Sequence, residues 1–311
     1  MKRLLVTGAS GLLGLNLALQ MTDAYEVTGV VHENGLTNVP FRVLAADLAA
    51  EDVAERLLDV VEPQALIHCA AMANIDACEH QPERAWAVNA QLPGHLARLA
   101  AQRGVRMVHL STDAVFDGQR GGYVESDEPN PLSVYARTKL DGERLVLEAN
   151  PQAVVARVNF YGWSLGGQRS LAEFFVNNLS AAKTVNGFTD VMFCPLMVND
   201  LADLLLKLAE AEELSGIYHV VSSERLSKYE FGVSLARRFG LDAGLIRPVS
   251  VMEGGLTARR SPRLDLNVDR LTAALGTPPP GLHSGLERFY TQSVQGYPQY
   301  IRSLRSGAST A

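Results

Sequence analysis

Apolar residues along the first half of the chain alternate between two patterns. The runs "RLLVTG", "YEVTGVV", "FRVLAAD", "QALIHCAA" and "VRMVHLST" are short and nearly unbroken, as in strands buried on both faces. Between them, "LLGLNLALQM", "AERLLDVV" and a long stretch from about Pro82 to Arg103 repeat their apolar residues at helical spacing. "SVYARTKLDGERL", from 133 to 145, reads as the start of a further helix. Strands alternating with helices predict an α/β fold, a doubly wound parallel sheet covered on both faces. After Arg157 the order loosens. "RSLAEFFVNNLSAA" looks helical, "TVNGFTDVMFCPLMV" is irregular and aromatic, and "DLADLLLKLAEAEEL" is a clear amphipathic helix with Asp200 as its expected cap. "GIYHVVS" returns as a strand, and short helices, prolines and the basic cluster "ARRSPR" follow.

Composition narrows the class. The chain has 311 residues, 47% hydrophobic and 20% charged, enough for one large domain or two unequal lobes. No apolar run is long enough to span a bilayer. "MKRLLVTGAS" opens like a signal peptide, but its apolar stretch ends at once in glycine and reads as a first strand. Cys69, Cys78 and Cys194 have no paired spacing, which predicts neither disulfides nor a metal site and suits a reducing cytoplasm. The net charge of −6 argues against general nucleic-acid binding but leaves an anionic small ligand open.

The first candidate chemistry is "VTGASGLLG", with Gly8, Gly11 and Gly14 spaced G-x-x-G-x-x-G between the first strand and the first helix. Glycines permit a tight turn and close backbone approach to a phosphate, and the helix N-terminus supplies N–H groups to the anion. In that strand–turn–helix setting the pattern predicts dinucleotide binding. An NAD-selective site places an acidic residue at the end of the second strand, for the ribose hydroxyls. Here that position is His32, in "GVVHENG", with Glu33 adjacent. Asp47, after the third strand, falls near the adenine edge, where it could equally serve as a helix cap. A neutral His32 does not repel a 2′-phosphate, so NADPH is expected to be preferred over NADH.

The second candidate is Tyr135 with Lys139, one helical turn apart and therefore on one face. A phenol titrates near about 10, and a neighbouring cation lowers that value toward the range of acid–base catalysis.

These glycines, "HCAA" at 68–71, "STD" at 111–113 and the Tyr135–Lys139 pair together resemble the extended short-chain dehydrogenase/reductase superfamily. Within it the chain is most similar to the dTDP-4-dehydrorhamnose reductase group. That narrower likeness rests on "AAMANIDACEHQPERAWAVNA" (70–90), "STDAVFDG" (111–118), "PLSVYARTKLDGE" (131–143) and "ARRSPRLDLN" (258–267). It is strong over the first 145 residues, patchy from about 160 to 255, and returns at the arginine cluster.

The resemblance implies an NAD(P)H-dependent reductase of the 4-keto group of a nucleotide-diphosphate deoxysugar. Tyr135 would give the proton as hydride moves at the adjacent carbon, Lys139 would also hold the nicotinamide ribose, and Thr112 would hold the substrate oxygen. Implied coenzyme contacts are Gly8, Ser10, Gly11, Leu12, Gly14, His32, Asp47, Leu48, Cys69, Ala70, Ala71 and Asn159, with Tyr135 and Lys139. Implied substrate contacts are Asp113, Phe160, Arg259 and Arg260; Tyr161 and Trp163 are alternatives to Phe160, and no metal is implied. Residues 1–158 would form the dinucleotide-binding domain, with 199–221 returning to it; 159–198 and 222–311 would form a smaller substrate-binding lobe. A homodimer is expected. Two other readings stay open: a nucleotide-sugar epimerase that retains NAD, and a non-catalytic NADP-binding regulatory subunit. The chain also departs from the pattern. Dehydratases resemble "TDE" where this chain has Thr112, Asp113 and Ala114, and the usual "FGSPT" is eroded to "FCPLM".

Overall fold

Each continuous apolar run becomes a strand. The computed structural model describes residues 1–50, 52–252 and 261–306. Strands β1 (Lys2–Thr7), β2 (Tyr25–Val31), β3 (Arg42–Ala45), β4 (Ala65–His68), β5 (Arg106–Thr112) and β6 (Val154–Val158) occur in chain order. Between them lie helices α1 (Leu12–Met21), α2 (Val53–Val61), α3 (Ile75–His80), α4 (Pro82–Trp86), α5 (Leu92–Arg103) and α6 (Val134–Ala149). The chain continues through β7 (Phe160–Tyr161), α7 (Leu171–Ser180), β8 (Val185–Phe188), β9 (Met192–Phe193), β10 (Leu196–Met197), α8 (Val198–Glu210) and β11 (Gly216–Val220). Then come β12 (Leu226–Ser227), α9 (Lys228–Phe239), β13 (Ile246–Val249), β14 (Arg263–Leu264), α10 (Asp269–Leu275), α11 (Leu282–Val294) and α12 (Tyr297–Ser303).

The central sheet has seven parallel strands in the order β11-β6-β5-β4-β1-β2-β3. It is the expected α/β architecture. Leu4, Leu5, Val6, Leu66, Ile67, Val108, Val154 and Val155 are fully buried, which is why these runs are unbroken rather than alternating. From β1 the chain winds outward to β2 and β3, then crosses back to β4 on the other side. Thr7 pairs in register with both Val30 and His68, so the carboxyl ends of β1, β2 and β4 lie level. That switch point opens the crevice in which such sheets hold ligands.

Three elements differ from the pattern expected. The stretch from Pro82 to Arg103 is not one helix: α4 and α5 are joined by a π-helical turn at Ala87–Gln91. Helix α8 starts at Val198, and Asp200 lies in its first turn; instead of capping, Asp200 accepts a 2.5 Å bond from Arg288. The irregular aromatic stretch contains β8, β9 and β10, whose partners β13, β12, β14 and β7 are too distant in sequence to read from it. Two later helices carry full capping boxes, Ser170 with Glu173 on α7 and Ser227 with Glu230 on α9. Among the described residues no helix is long and apolar enough to cross a membrane.

Candidate active site and coenzyme groove

The glycine turn lies at the switch point. Gly8 has φ +68°, and a Cβ there would sit 2.8 Å from the Ala70 nitrogen. A Cβ on Gly14 would sit 2.2 Å from the Gly8 carbonyl oxygen, so only glycine lets α1 approach the turn this closely. The Gly11 N–H donates to the Gly8 carbonyl (2.9 Å), while Gly11 caps α1 without a side-chain partner. No acidic residue occupies the first turn of α1. Thr7 Oγ1 accepts from the Ala70 N–H (3.2 Å), fastening the β4 loop to β1. These residues fit a dinucleotide diphosphate: the backbone is close and free of side chains, and the helix terminus is electropositive. Ser10 and Leu12 flank Gly11, and Cys69 and Ala70 face the turn from β4, with Ala71 exposed beyond them.

At the other end of the groove, His32 follows β2 and is half exposed. Its Nδ1 lies 3.6 Å from Glu33 and its Nε2 3.9 Å from Asp47. Asp47 is not a helix cap. Its Oδ1 accepts from the Ala49 N–H (3.0 Å) in a local turn, because α2 begins only at Val53. Leu48 beside it is buried. The structure adds a residue the sequence pattern did not point to: Arg84 of α4, whose guanidinium reaches to 3.7 Å from Glu33.

Tyr135 is the second residue of α6. Ser133 fixes that helix start by accepting from the Ala136 N–H, and Glu79 accepts from the Val134 N–H at 2.7 Å. Lys139 is 3% exposed. Its Nζ donates to the Leu110 carbonyl (2.6 Å) and lies 3.4 Å from His109 Nε2. Burial, and then the Lys139 charge, hold His109 neutral by pushing it well below its ordinary value. His68 stacks on His109, and burial and Lys139 press it down to about 3; its Nδ1 is 2.7 Å from Thr7 Oγ1. Burial also lowers Lys139, to about 8. The expected lowering of the tyrosine is not found. Burial pushes Tyr135 up to about 12; hydrogen bonding with Thr112 pulls against this, and the Asp113 charge adds to it. Lys139 shares a helix face with Tyr135, but its ammonium is tied to the sheet.

Thr112 ends β5 and begins a tight 3-10 turn. Its hydroxyl accepts from the Ala114 N–H and donates to Asp113 Oδ1, both at 3.2 Å. Asn159, just beyond β6, donates to Asp113 Oδ2 at 2.5 Å. Asp113 is 4% exposed. Burial raises it to about 6; Asn159, Thr112 and the charge of Lys228 pull it back. The folded protein therefore binds this proton more tightly than the unfolded chain, and stability falls as pH rises from 3.8 through about 6. Asp113→Asn removes that loss. The variant is expected to gain on the order of 2 kcal/mol over the parent at about pH 8 and little at about pH 4. Thermal melts across this range check it; parallel curves for the two proteins would refute the assignment.

The second half of the chain closes over this turn. Ser261 donates to the Phe116 carbonyl (3.2 Å), and the Arg263 N–H donates to the Gly118 carbonyl (3.1 Å). Tyr123 exchanges backbone bonds with Asp265 and Asn267. Arg259 and Arg260 lie outside the described residues. Of the three aromatics after β6, Tyr161 and Trp163 belong to the core. Trp163 stacks on Phe289 at 4.0 Å, and Tyr161 meets Phe231 and Phe289 edge-on. Phe160 is only partly buried.

Two further residues hold the site together. Asn89, fully buried in the π-helical turn, accepts from the Met72 N–H (2.8 Å) and donates to the Met72 carbonyl and Thr138 Oγ1. It joins the β4 loop to the helix bearing Tyr135. His109 is the other, through Lys139. The lone polar residue in "AWAVNA" was the available signal for Asn89; His109 looked like an ordinary strand residue.

Known proteins resemble this chain in sequence and fold. The model of the family described as RmlD substrate binding domain matches residues 1–295. A dTDP-4-dehydrorhamnose reductase of Mycobacterium tuberculosis is 35% identical over 272 residues, covering 84% of this chain and 83% of that protein. The methionine adenosyltransferase 2 subunit beta of Xenopus laevis is 34% identical over 275 residues, covering 85% and 80%. The crystal structure of dTDP-4-dehydrorhamnose reductase from Bacillus anthracis in complex with NADP has a TM-score of 0.83 at 25% identity, covering 94% of this chain and 100% of that one. The likeness runs through the sheet and the second half alike. The chain belongs to the RmlD substrate-binding-domain family of the extended short-chain dehydrogenases/reductases, and it is an NAD(P)-dependent oxidoreductase of that type.

Proposed function

We propose that the protein reduces the 4-keto group of a nucleotide-diphosphate deoxysugar, with Tyr135 as proton donor and NADPH as the preferred coenzyme. The observation that carries this reading is the meeting of Thr112, Asp113 and Tyr135 at the carboxyl end of β5, on the same edge of the sheet as the glycine turn and with β4 between them. The bound nicotinamide supplies the hydride. Gly8, Ser10, Gly11, Leu12 and Gly14 would hold the diphosphate of the coenzyme, with His32, Asp47 and Leu48 at its adenosine end. Cys69, Ala70, Ala71, Lys139 and Asn159 would flank the nicotinamide half.

A phenol near 12 stays protonated at neutral pH, the form a proton donor needs. Thr112 would orient the substrate oxygen toward it, and Lys139, whose ammonium is held by the Leu110 carbonyl, would donate to the nicotinamide ribose. Asp113 and Phe160 would face the sugar, and Arg259 and Arg260 its diphosphate. On this reading residues 159–198 and 222–311 are the substrate lobe and the rest is the coenzyme domain. Ala114 stands where the dehydratase pattern has its glutamate, so the acid–carboxylate pair that eliminates water is incomplete.

The test is a panel of nucleotide 4-keto sugars, with loss of NADPH absorbance as the readout. One member should be turned over with equal consumption of NADPH. Conversion with no net NADPH use would make the protein an epimerase. Tight NADPH binding with no turnover on any member would favour a binding role, as the likeness to the methionine adenosyltransferase subunit allows.

A further inference from the structure

The bridge between Arg84 and Glu33 joins elements that sit on either side of the glycine turn. Arg84 is on α4, which follows β4; Glu33 follows β2; β1 lies between those strands. A side chain from the β4 side thus crosses the carboxyl end of β1 to reach the end of β2. Glu33 stands between the Arg84 guanidinium, 3.7 Å away, and the His32 imidazole, whose Nδ1 is 3.6 Å away. Asp47 is 3.9 Å from the other side of the His32 ring. All four side chains are at least half exposed. An ion pair this exposed contributes about 0–1 kcal/mol, so the fold gives little reason for Arg84 to reach so far.

We infer that Arg84 is a coenzyme-specificity residue: with His32 it receives the 2′-phosphate of NADPH, taking that anion in place of the Glu33 carboxylate. The inference rests on the reading that the dinucleotide lies along the Gly8–Gly14 turn, with its adenosine end at β2. There the 2′-oxygen of the ribose meets the end of β2, where an acidic residue would select NADH and an arginine NADPH. A guanidinium forms two parallel bonds to a phosphate, and a dianion competes well against a single carboxylate for it. Glu33 and Asp47 repel the same phosphate, so Arg84 decides the sign of the balance. No arginine occurs in "HENG" itself, and for this reason local sequence gave no candidate.

The experiment titrates the whole protein with NADPH and with NADH, following the nicotinamide fluorescence, and repeats the titration with 2′,5′-ADP and 5′-ADP as competitors. Arg84→Gln should weaken NADPH and 2′,5′-ADP about tenfold while NADH and 5′-ADP change less than about twofold. Glu33→Gln should tighten the phosphorylated ligands severalfold. Equal weakening of both coenzymes, or no change in either, would overturn the role of Arg84. A parent protein that prefers NADH would refute the proposed coenzyme preference alone; selective weakening of NADPH by Arg84→Gln would still establish the contact. His32→Asp separates the contributions of the two side chains, since the loss on that substitution should add to the loss at Arg84.

Discussion

Tyr135→Phe is expected to lower kcat by at least about a hundredfold and to leave the Kd of the coenzyme nearly unchanged. The phenol hydroxyl is the only atom removed. Thr112 and the Asp113 charge both act on that hydroxyl's titration, which places it near the end of β5. It carries no part of the glycine turn. Its pKa near 12 means that the group is a donor across the whole working range of pH, and phenylalanine has no proton to give. Lys139→Met should differ in kind. Lys139 fixes no proton on the substrate but is tied to Leu110 and His109 at the centre of the crevice, so both kcat and coenzyme affinity should fall. Stopped-flow reduction of the true substrate, with a parallel coenzyme titration, separates the two. Near-parental turnover by Tyr135→Phe would refute the proton-donor role.

The central sheet was legible because burial on both faces leaves an unmistakable mark. Strand β2 occupies Tyr25–Val31 and helix α1 Leu12–Met21, the segments that continuity and helical spacing delimited. The glycine turn was legible for a similar reason, since Gly8 and Gly14 are positions where a Cβ collides with backbone. What sequence could not supply is the direction of long side chains. The spacing of Tyr135 and Lys139 places both on one face, yet the Lys139 stem has four rotatable bonds and its ammonium turns to the Leu110 carbonyl. The tyrosine is accordingly governed by burial. Arg84 and Glu33 meet across the crevice, and no local pattern encodes such a pairing. The choice among Phe160, Tyr161 and Trp163 needed the strand: successive residues of β7 point to opposite sides, and Tyr161 goes to the core.

Loss of the Glu143–Arg157 pair should be the costliest single change outside the reacting atoms. Both residues are 1% exposed. Arg157 on β6 donates from Nε to both carboxylate oxygens (3.0 and 3.2 Å) and from Nη2 to Oε2 (2.7 Å). Ser111 on β5 donates to the same carboxylate, and the guanidinium lies over the Phe116 ring at 5.0 Å. Glu143 is one turn beyond Lys139, so the pair pins the helix bearing Tyr135 to two strands. Glu143→Gln keeps the shape but leaves a buried guanidinium without its counter-charge, and is expected to cost about 3–5 kcal/mol. Among the described residues the Nη1 atom of Arg157 has no hydrogen-bond partner, so the carboxylate is the group that balances this charge. Replacing both residues, as Glu143→Leu with Arg157→Met, removes the charge as well as the pairing and should recover much of the loss. Urea unfolding of the two single variants and the double variant gives the coupling directly. Single variants within about 1 kcal/mol of the parent would show that water or a neighbouring group solvates the charge, and that the pair does not fasten α6 to the sheet.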